Sequence, residues 1–163
     1  DFALELFAAL NAPDLTLTMA GRGWEPFEAA AQSAQAVLGA RFVRPGLLPP
    51  EKAAELENGA DILLSLGNAF DNQMPSKLFS YLGTGKPLLH LAVTDTDPTL
   101  PYLAKYPLAL VLHKKDGVTP EVVDTLQRWL TDVQGQCLPY AQVAALYPEF
   151  TPEVVAETFI GRV

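Results

Sequence analysis

Cysteine is almost missing from this sequence. Cys137 is the only one, so no internal disulfide can form, which fits a reducing compartment. As a lone thiol it reads as a small, semi-buried apolar residue. Positive charge is also scarce. Eleven Lys and Arg stand against nineteen Asp and Glu, a formal net charge of -8. A surface of that sign repels phosphate backbones and anionic lipid. Nucleic acid and direct membrane insertion are therefore not expected of this segment, and an anionic small ligand needs a local site that overrides the global field. No apolar run approaches the roughly 20 residues that span a bilayer, and no signal peptide is visible. Together these features predict a cytoplasmic protein. The two histidines, His90 and His113, lack ligand spacing, so no metal is expected. No pair of acids is spaced for general acid–base work, and no Ser-His-Asp set is evident.

What is present is the composition of a folded chain. The 163 residues are 49% apolar, enough for one domain with a real core. Phe2, Leu6, Phe7 and Leu10 recur at helical spacing, so a helix is expected from the outset. A first residue inside or just before a helix reads as the start of a segment cut from something longer. Strands are predicted at residues 15–20, 41–44, 61–66, 88–93 and 108–113. Helices are predicted at 26–38, 50–59, 75–82, 100–106, 120–134 and 152–161. Pro26 stands at a favoured first-turn position. Glu51 suits the helix dipole, Asn58-Gly59 a helix end and Thr119 an N-cap. The run 61–66 is continuously apolar, as doubly buried parallel strands are. Strands alternating with helices imply right-handed βαβ units and a mostly parallel sheet of about five strands. The expected organisation is one domain over residues 1–163, with a core of about 1–134 and a C-terminal helical appendix of about 139–163.

Open α/β sheets bind ligands in loops beyond the carboxyl ends of their strands. The candidate loops are Gly21-Arg22-Gly23, Gly46-Leu47-Leu48, Asn68 to Met74, and Thr94 to Pro98. The third is the most unusual and runs into Pro75-Ser76-Lys77. Proline at a helix start leaves the next amides, those of Ser76, Lys77 and Leu78, free to face an anion. Lys77 in a first turn opposes the helix dipole by several tenths of a kcal/mol, a cost that a bound anion would offset. Asn72 and Gln73 carry amides suited to sugar or ribose hydroxyls. The simpler reading is a solvated helix start with a snorkelling lysine. Leu78, Phe79, Tyr81 and Leu82 form the apolar side of that helix, and Ser80 falls among them.

The stretch Asn72-Gln73-Met74-Pro75-Ser76-Lys77-Leu78-Phe79-Ser80-Tyr81, followed by Gly85-Lys86-Pro87-Leu88-Leu89-His90, resembles the donor-site motif of GT-B glycosyltransferases of the family 4 type. The strand Ala60-Asp61-Ile62-Leu63-Leu64 and the segment Val43-Arg44-Pro45-Gly46-Leu47-Leu48 also fit it. The resemblance covers roughly residues 2–134 in element order, and its specific part lies in 60–90. It implies an α/β, Rossmann-like three-layer domain with helices on both faces of the sheet, plus a C-terminal helix. It also implies the C-terminal, nucleotide-sugar-binding half of a two-domain transferase, whose N-terminal acceptor domain is not in this chain. The nucleoside-diphosphate sugar is then a donor substrate and no cofactor is required. By the same resemblance, Gly46 and Leu47 lie near the base and the start of the Ser76–Lys77 helix faces the diphosphate. Asn72, Gln73 and Met74 lie near the sugar, and Gly21 and Arg22 border the cleft.

Two departures stand out. Many members carry two glutamates separated by seven residues, and those positions fall on Asn72 and Ser80. The second glutamate grips ribose hydroxyls in such enzymes, whereas Ser80 offers a neutral hydroxyl. The family's first strand and basic loop would precede residue 1. A non-catalytic domain of the same fold used for partner binding, and half of a sugar-nucleotide epimerase, are the alternative readings. Family resemblance points to retention by analogy.

The remaining candidates have bland readings beside the functional ones. Arg22 between two glycines is a turn, or a cation standing in for the absent basic loop. His90 reads as a satisfied core or rim residue and His113 as surface. Asp95 and Asp97 shape a turn or meet a ligand, and Asp71 is an exposed loop acid or a sugar contact. Trp129, Leu126 and Leu130 make a core stripe. In the tail, Leu146, Tyr147, Phe150, Val154, Val155, Phe159 and Ile160 either dock on this domain or cross to the missing half.

Overall fold

A computed structural model describes residues 2–23, 25–70 and 72–161, without the side chains of Glu25, Pro26 and Phe159. The chain divides into two compact units, residues 1–60 with 116–132, and residues 61–115 with 133–163. Among the described residues there are five strands, every paired one parallel to its neighbour. They form a two-stranded and a three-stranded sheet. The α/β, Rossmann-like class expected from alternating strand and helix patterns is the one observed.

In the first unit, α1 (Phe2–Ala9) packs on α2 (Glu25–Leu38). Phe2, Leu4 and Leu6 of α1 and Ala31, Ala34 and Leu38 of α2 are buried. The α2 residues recur at helical spacing, and the alanines let the helix sit close. Strand β1 (Leu17–Ala20) pairs in parallel with β2 (Phe42–Gly46), with an irregularity between Thr18 and Ala20. The helices α3 (Pro50–Gly59) and α6 (Pro120–Asp132) complete the unit. Of the expected α6 stripe, Leu126 is fully buried. Trp129 is half-buried, and its indole N–H is enclosed without a partner among the described residues.

The second unit is built on β4 (Leu88–Ala92), which pairs with β3 (Leu63–Leu66) on one side and β5 (Ala109–His113) on the other. All five β4 residues are buried, as a central parallel strand requires. Helix α4 (Lys77–Gly83) connects β3 to β4, and α5 (Leu100–Leu103) connects β4 to β5. Leu78 and Leu82, one turn apart, are buried, each contributing about 2 kcal/mol. Phe79 and Tyr81 are only half-buried, so the apolar side of α4 is narrower than its sequence suggests. Phe79 instead meets the tail, its ring 4.3 Å from that of Phe150 and 5.4 Å from that of Tyr102.

The tail carries α7 (Tyr140–Leu146), which the sequence reading passes over, and α8 (Pro152–Ile160). Helix α7 is two turns long and buries Val143 alone, too few apolar positions to show a period. It packs on α4. Tyr147 just beyond it is buried and donates its hydroxyl to the Tyr102 carbonyl at 2.7 Å. Burial, with a lesser push from Glu149, raises the phenol to about 12. By contrast, Val154, Val155 and Ile160 of α8 are exposed. The Leu138 amide donates to the Gly85 carbonyl at 2.8 Å, anchoring the start of the tail. Cys137 is exposed rather than semi-buried.

Gly85 has φ of +75°, and a methyl group there would overlap the Leu138 carbonyl. Gly83 faces open space and ends a helix, where alanine is favoured over glycine. Gly85→Ala is expected to lower stability by about 2 kcal/mol or more. Gly83→Ala should be neutral or stabilising by about 0.5 kcal/mol. Thermal denaturation of the pair checks both.

Candidate functional site

The loop after β3 is shaped by Asn68. Its side-chain oxygen accepts the Phe70 amide at 2.7 Å, and its side-chain nitrogen donates to the Gln73 carbonyl at 3.3 Å. One residue thus fixes both ends of the excursion, as asparagine does in turns. Asp71, the carboxylate expected in this loop, lies outside the described residues.

The loop returns to line a cleft of about 410 Å³ at the carboxyl end of β3. Gln73, Met74, Pro75, Ser76 and Lys77 line it, with Asn68, Tyr81 and the strand residues Leu64, Ser65 and Leu66. Five of the candidate residues therefore meet in one place. Asn72 is exposed and does not line the cleft. Ser80 does not line it either; its exposed hydroxyl donates back to the Lys77 carbonyl at 2.8 Å. Gly21, Arg22, Gly46 and Leu47 belong to the first unit, at the carboxyl ends of β1 and β2. There the Gly21 amide donates to the Gly46 carbonyl at 2.8 Å. Both glycines hold positive φ, 143° and 76°, which larger residues adopt only with strain. Arg22 and Leu47 are exposed. In the same unit Arg44 pairs with Glu28 at 2.6 Å and lies over the Phe27 ring.

Helix α4 begins at Lys77 rather than at Pro75. Pro75 and Ser76 form a turn, because the Leu78 amide donates to the Pro75 carbonyl at 3.1 Å. Of the three amides expected to face outward, that of Leu78 is therefore engaged. The Lys77 ammonium stands 5.7 Å from the centre of the Tyr81 ring, a cation–π distance. Tyr81 is thus a wall of the cleft as well as a neighbour of its cation.

Behind Ser65 lies a polar cluster that sequence reading missed. Ser65 and His90 are register partners on β3 and β4, so their side chains share a sheet face. His90 is fully buried, with Nδ1 3.0 Å from Ser65 Oγ and Nε2 3.0 Å from Asp97 Oδ2. Thr99 Oγ1 is 3.2 Å from the same Nε2. The Thr99 amide and hydroxyl both donate to Asp97 Oδ1, at 2.9 and 2.7 Å. Asp97 therefore shapes the turn into α5 and also holds the imidazole. Burial alone would push its carboxyl up, but the bonds from Thr99 and His90 outweigh that and hold it below 3.8. For His90 burial dominates, against the opposing pull of Asp97, and keeps the imidazole below 6.5. No signal in the sequence pairs this serine with this histidine; the cross-strand register does. Ser65 is 7% exposed and sits within a strand, unlike an exposed nucleophile.

Gly67 is required by this cluster. A methyl group there would lie 2.6 Å from Asp97 Oδ2 and 3.0 Å from the Leu91 carbonyl oxygen. Asp95 instead turns to the surface, both oxygens 2.6 Å from the Lys115 ammonium and one 3.3 Å from His113. The Lys115 hydrogen bond is the main reason that its carboxyl is held below the usual value. Among the described residues no group of three His, Cys, Asp or Glu is placed to hold a metal ion, and no helix is long and apolar enough to cross a membrane.

Both shifts give stability that is lost in acid. The folded chain keeps His90 neutral while the unfolded chain protonates it near 6.5. Its contribution is complete above that pH and declines below it, through the depressed folded value. Asp97 contributes above 3.8 and loses that contribution as pH falls through its own lowered value. Melting temperatures should be flat from pH 8 to 7 and fall below about 6.5. In His90→Gln the part of the slope that sets in below about pH 6.5 should disappear.

No protein-family model matches this chain, and comparison with curated proteins finds no match. Among solved structures it is similar to AviGT4, a glycosyltransferase involved in avilamycin A biosynthesis. The TM-score is 0.63 at 19% sequence identity over 98% of this chain. The chain spans 46% of the length of that protein. At this identity the likeness establishes the fold, a Rossmann-like α/β arrangement that a glycosyltransferase shares.

Proposed function

We propose that this chain is the donor-binding half of a glycosyltransferase of the GT-B, family 4 kind, transferring a sugar from a nucleoside-diphosphate sugar to an acceptor. The observation that carries the reading is the cleft on residues 73–77, the run that carries the sequence resemblance. Its volume is within the roughly 300–1,000 Å³ of small-molecule sites. It lies where open α/β sheets bind ligands, and the fold is shared with a glycosyltransferase. In this reading Lys77 and the Ser76 and Lys77 amides meet the diphosphate, and Gln73 and Met74 meet the sugar. Their chemical contribution is electrostatic, stabilising negative charge on the departing diphosphate as the glycosidic bond forms. The acceptor and any base come from an N-terminal domain of the same protein. The reaction needs no metal from this chain. A cytoplasmic location fits a chain with one cysteine.

A second reading is a non-catalytic domain of this fold that binds a partner. It is favoured by the neutral Ser80, whose hydroxyl hydrogen is already given to the Lys77 carbonyl.

Titration with UDP, GDP and ADP, followed by amide chemical shifts, separates the two. The donor reading expects saturable shifts at Gln73, Ser76 and Lys77 with one of the three. The same spectra read the further assignments to Gly21, Arg22, Gly46 and Leu47. Lys77→Ala should weaken that nucleotide about tenfold, the size of one charge-assisted hydrogen bond. Ser80→Glu should tighten it if a ribose hydroxyl comes within reach. Saturation with none of the three to millimolar concentration favours the partner-binding domain. The chain alone should show no sugar transfer, and robust transfer by it would sink the half-enzyme reading.

A further inference from the structure

The cluster behind the cleft fixes where one proton sits, and that proton decides what the cleft floor offers a ligand. Asp97 accepts at Oδ1 from the Thr99 amide and hydroxyl. As a carboxylate it can only accept at Oδ2 as well, so the ring nitrogen 3.0 Å away, His90 Nε2, must donate. The Thr99 hydroxyl has given its hydrogen to Asp97 and is a second acceptor for the same Nε2–H at 3.2 Å. A neutral imidazole carrying its hydrogen on Nε2 has a bare lone pair on Nδ1. The group 3.0 Å from Nδ1 is the Ser65 hydroxyl, which must donate to it. Ser65 also lines the cleft. Its hydrogen is directed across the sheet face at His90, so what the hydroxyl has left to offer a ligand is its oxygen lone pairs.

We propose that Ser65 is a specificity-determining residue of this cleft, presenting only an acceptor and so selecting a ligand hydroxyl that donates to it. His90, Asp97 and Thr99 are positioning residues that hold the Ser65 proton away from the ligand. The inference rests on the donor-site reading of the cleft and names a contact within it. A nucleoside-diphosphate sugar has two sources of such a hydroxyl, the ribose and the transferred sugar. A free phosphate oxygen is refused at this point, because it brings no hydrogen and meets lone pairs.

The test begins with the His90 ring, read from its two ¹⁵N shifts in the full chain near pH 7.5. A neutral ring with hydrogen on Nε2 is expected; hydrogen on Nδ1, or a cationic ring, overturns the inference. Binding is then measured for UDP, GDP and ADP and for UDP-glucose, GDP-mannose and ADP-glucose. For whichever binds, Ser65→Ala should weaken affinity about tenfold. Ser65→Thr, which keeps the hydroxyl, should stay within about twofold. An equal loss for diphosphate and nucleotide sugar assigns the ribose hydroxyl, and a loss for the nucleotide sugar alone assigns the sugar. Asp97→Asn supplies an N–H to Nε2, so the ring hydrogen should move to Nδ1, turn the Ser65 proton outward and weaken the same ligand. Unchanged affinity in Ser65→Ala, or in Asp97→Asn with the tautomer moved, overturns the inference while the donor reading stands. No binding of any of the six by the wild type overturns both.

Discussion

A buried imidazole has two nitrogens to satisfy and no water to help, and much of the second unit is arranged around that constraint. His90 is enclosed in the central strand. Its partners come from three places: Ser65 on the neighbouring strand, Asp97 in the following turn, and Thr99 at the start of α5. An unpaired ring nitrogen here would cost about 1–3 kcal/mol. The network therefore ties β3, β4 and the turn into one piece, and it forces glycine at position 67 because the Asp97 carboxylate occupies the space. The cleft lies beside this cluster. Its floor inherits the rigidity of the sheet through Ser65, while its wall is a loop pinned by Asn68.

Under the proposed donor-site reading, that division of labour suits an anionic, hydroxyl-rich ligand on a chain whose net charge is -8. Long-range attraction is unavailable, so binding must come from groups at contact distance. Lys77 supplies the local cation, set against Tyr81. Ser65, Asn68, Gln73 and Ser76 supply neutral polar atoms among apolar neighbours such as Leu64, Leu66 and Met74. Neutral donors and acceptors lose little to solvent screening at contact range, unlike distant charge pairs.

The tail divides in two. The residues up to Phe150 are bound to the second unit by the Leu138–Gly85 bond, the Tyr147 hydroxyl and the rings of Phe79, Tyr102 and Phe150. Beyond Thr151, α8 turns Val154, Val155 and Ile160 outward. The apolar composition of the tail is thus one signal with two outcomes, and composition does not distinguish a residue that docks from one that stays exposed.

The class of fold was legible because periodicity is local. The five strand positions, the Pro-opened helices and the strand–loop–helix run at 60–90 each follow from residues within a few positions of one another. The run 73–77 was legible for the same reason: proline, serine and lysine at a helix entrance are an unusual combination wherever they occur. What the tertiary structure decided was every relation between distant residues. The Ser65–His90 pair depends on strand register, and Asp97 reaches His90 only because the chain reverses after β4. Helix α7 is held by α4 rather than by a period of its own. Ser80, central to the motif in sequence, turns its hydroxyl to its own helix, whereas Ser65, inconspicuous in an apolar run, lines the cleft. The physical reason is that a residue's chemistry is fixed by its side chain, but its partners are fixed by the register and packing of segments far away along the chain.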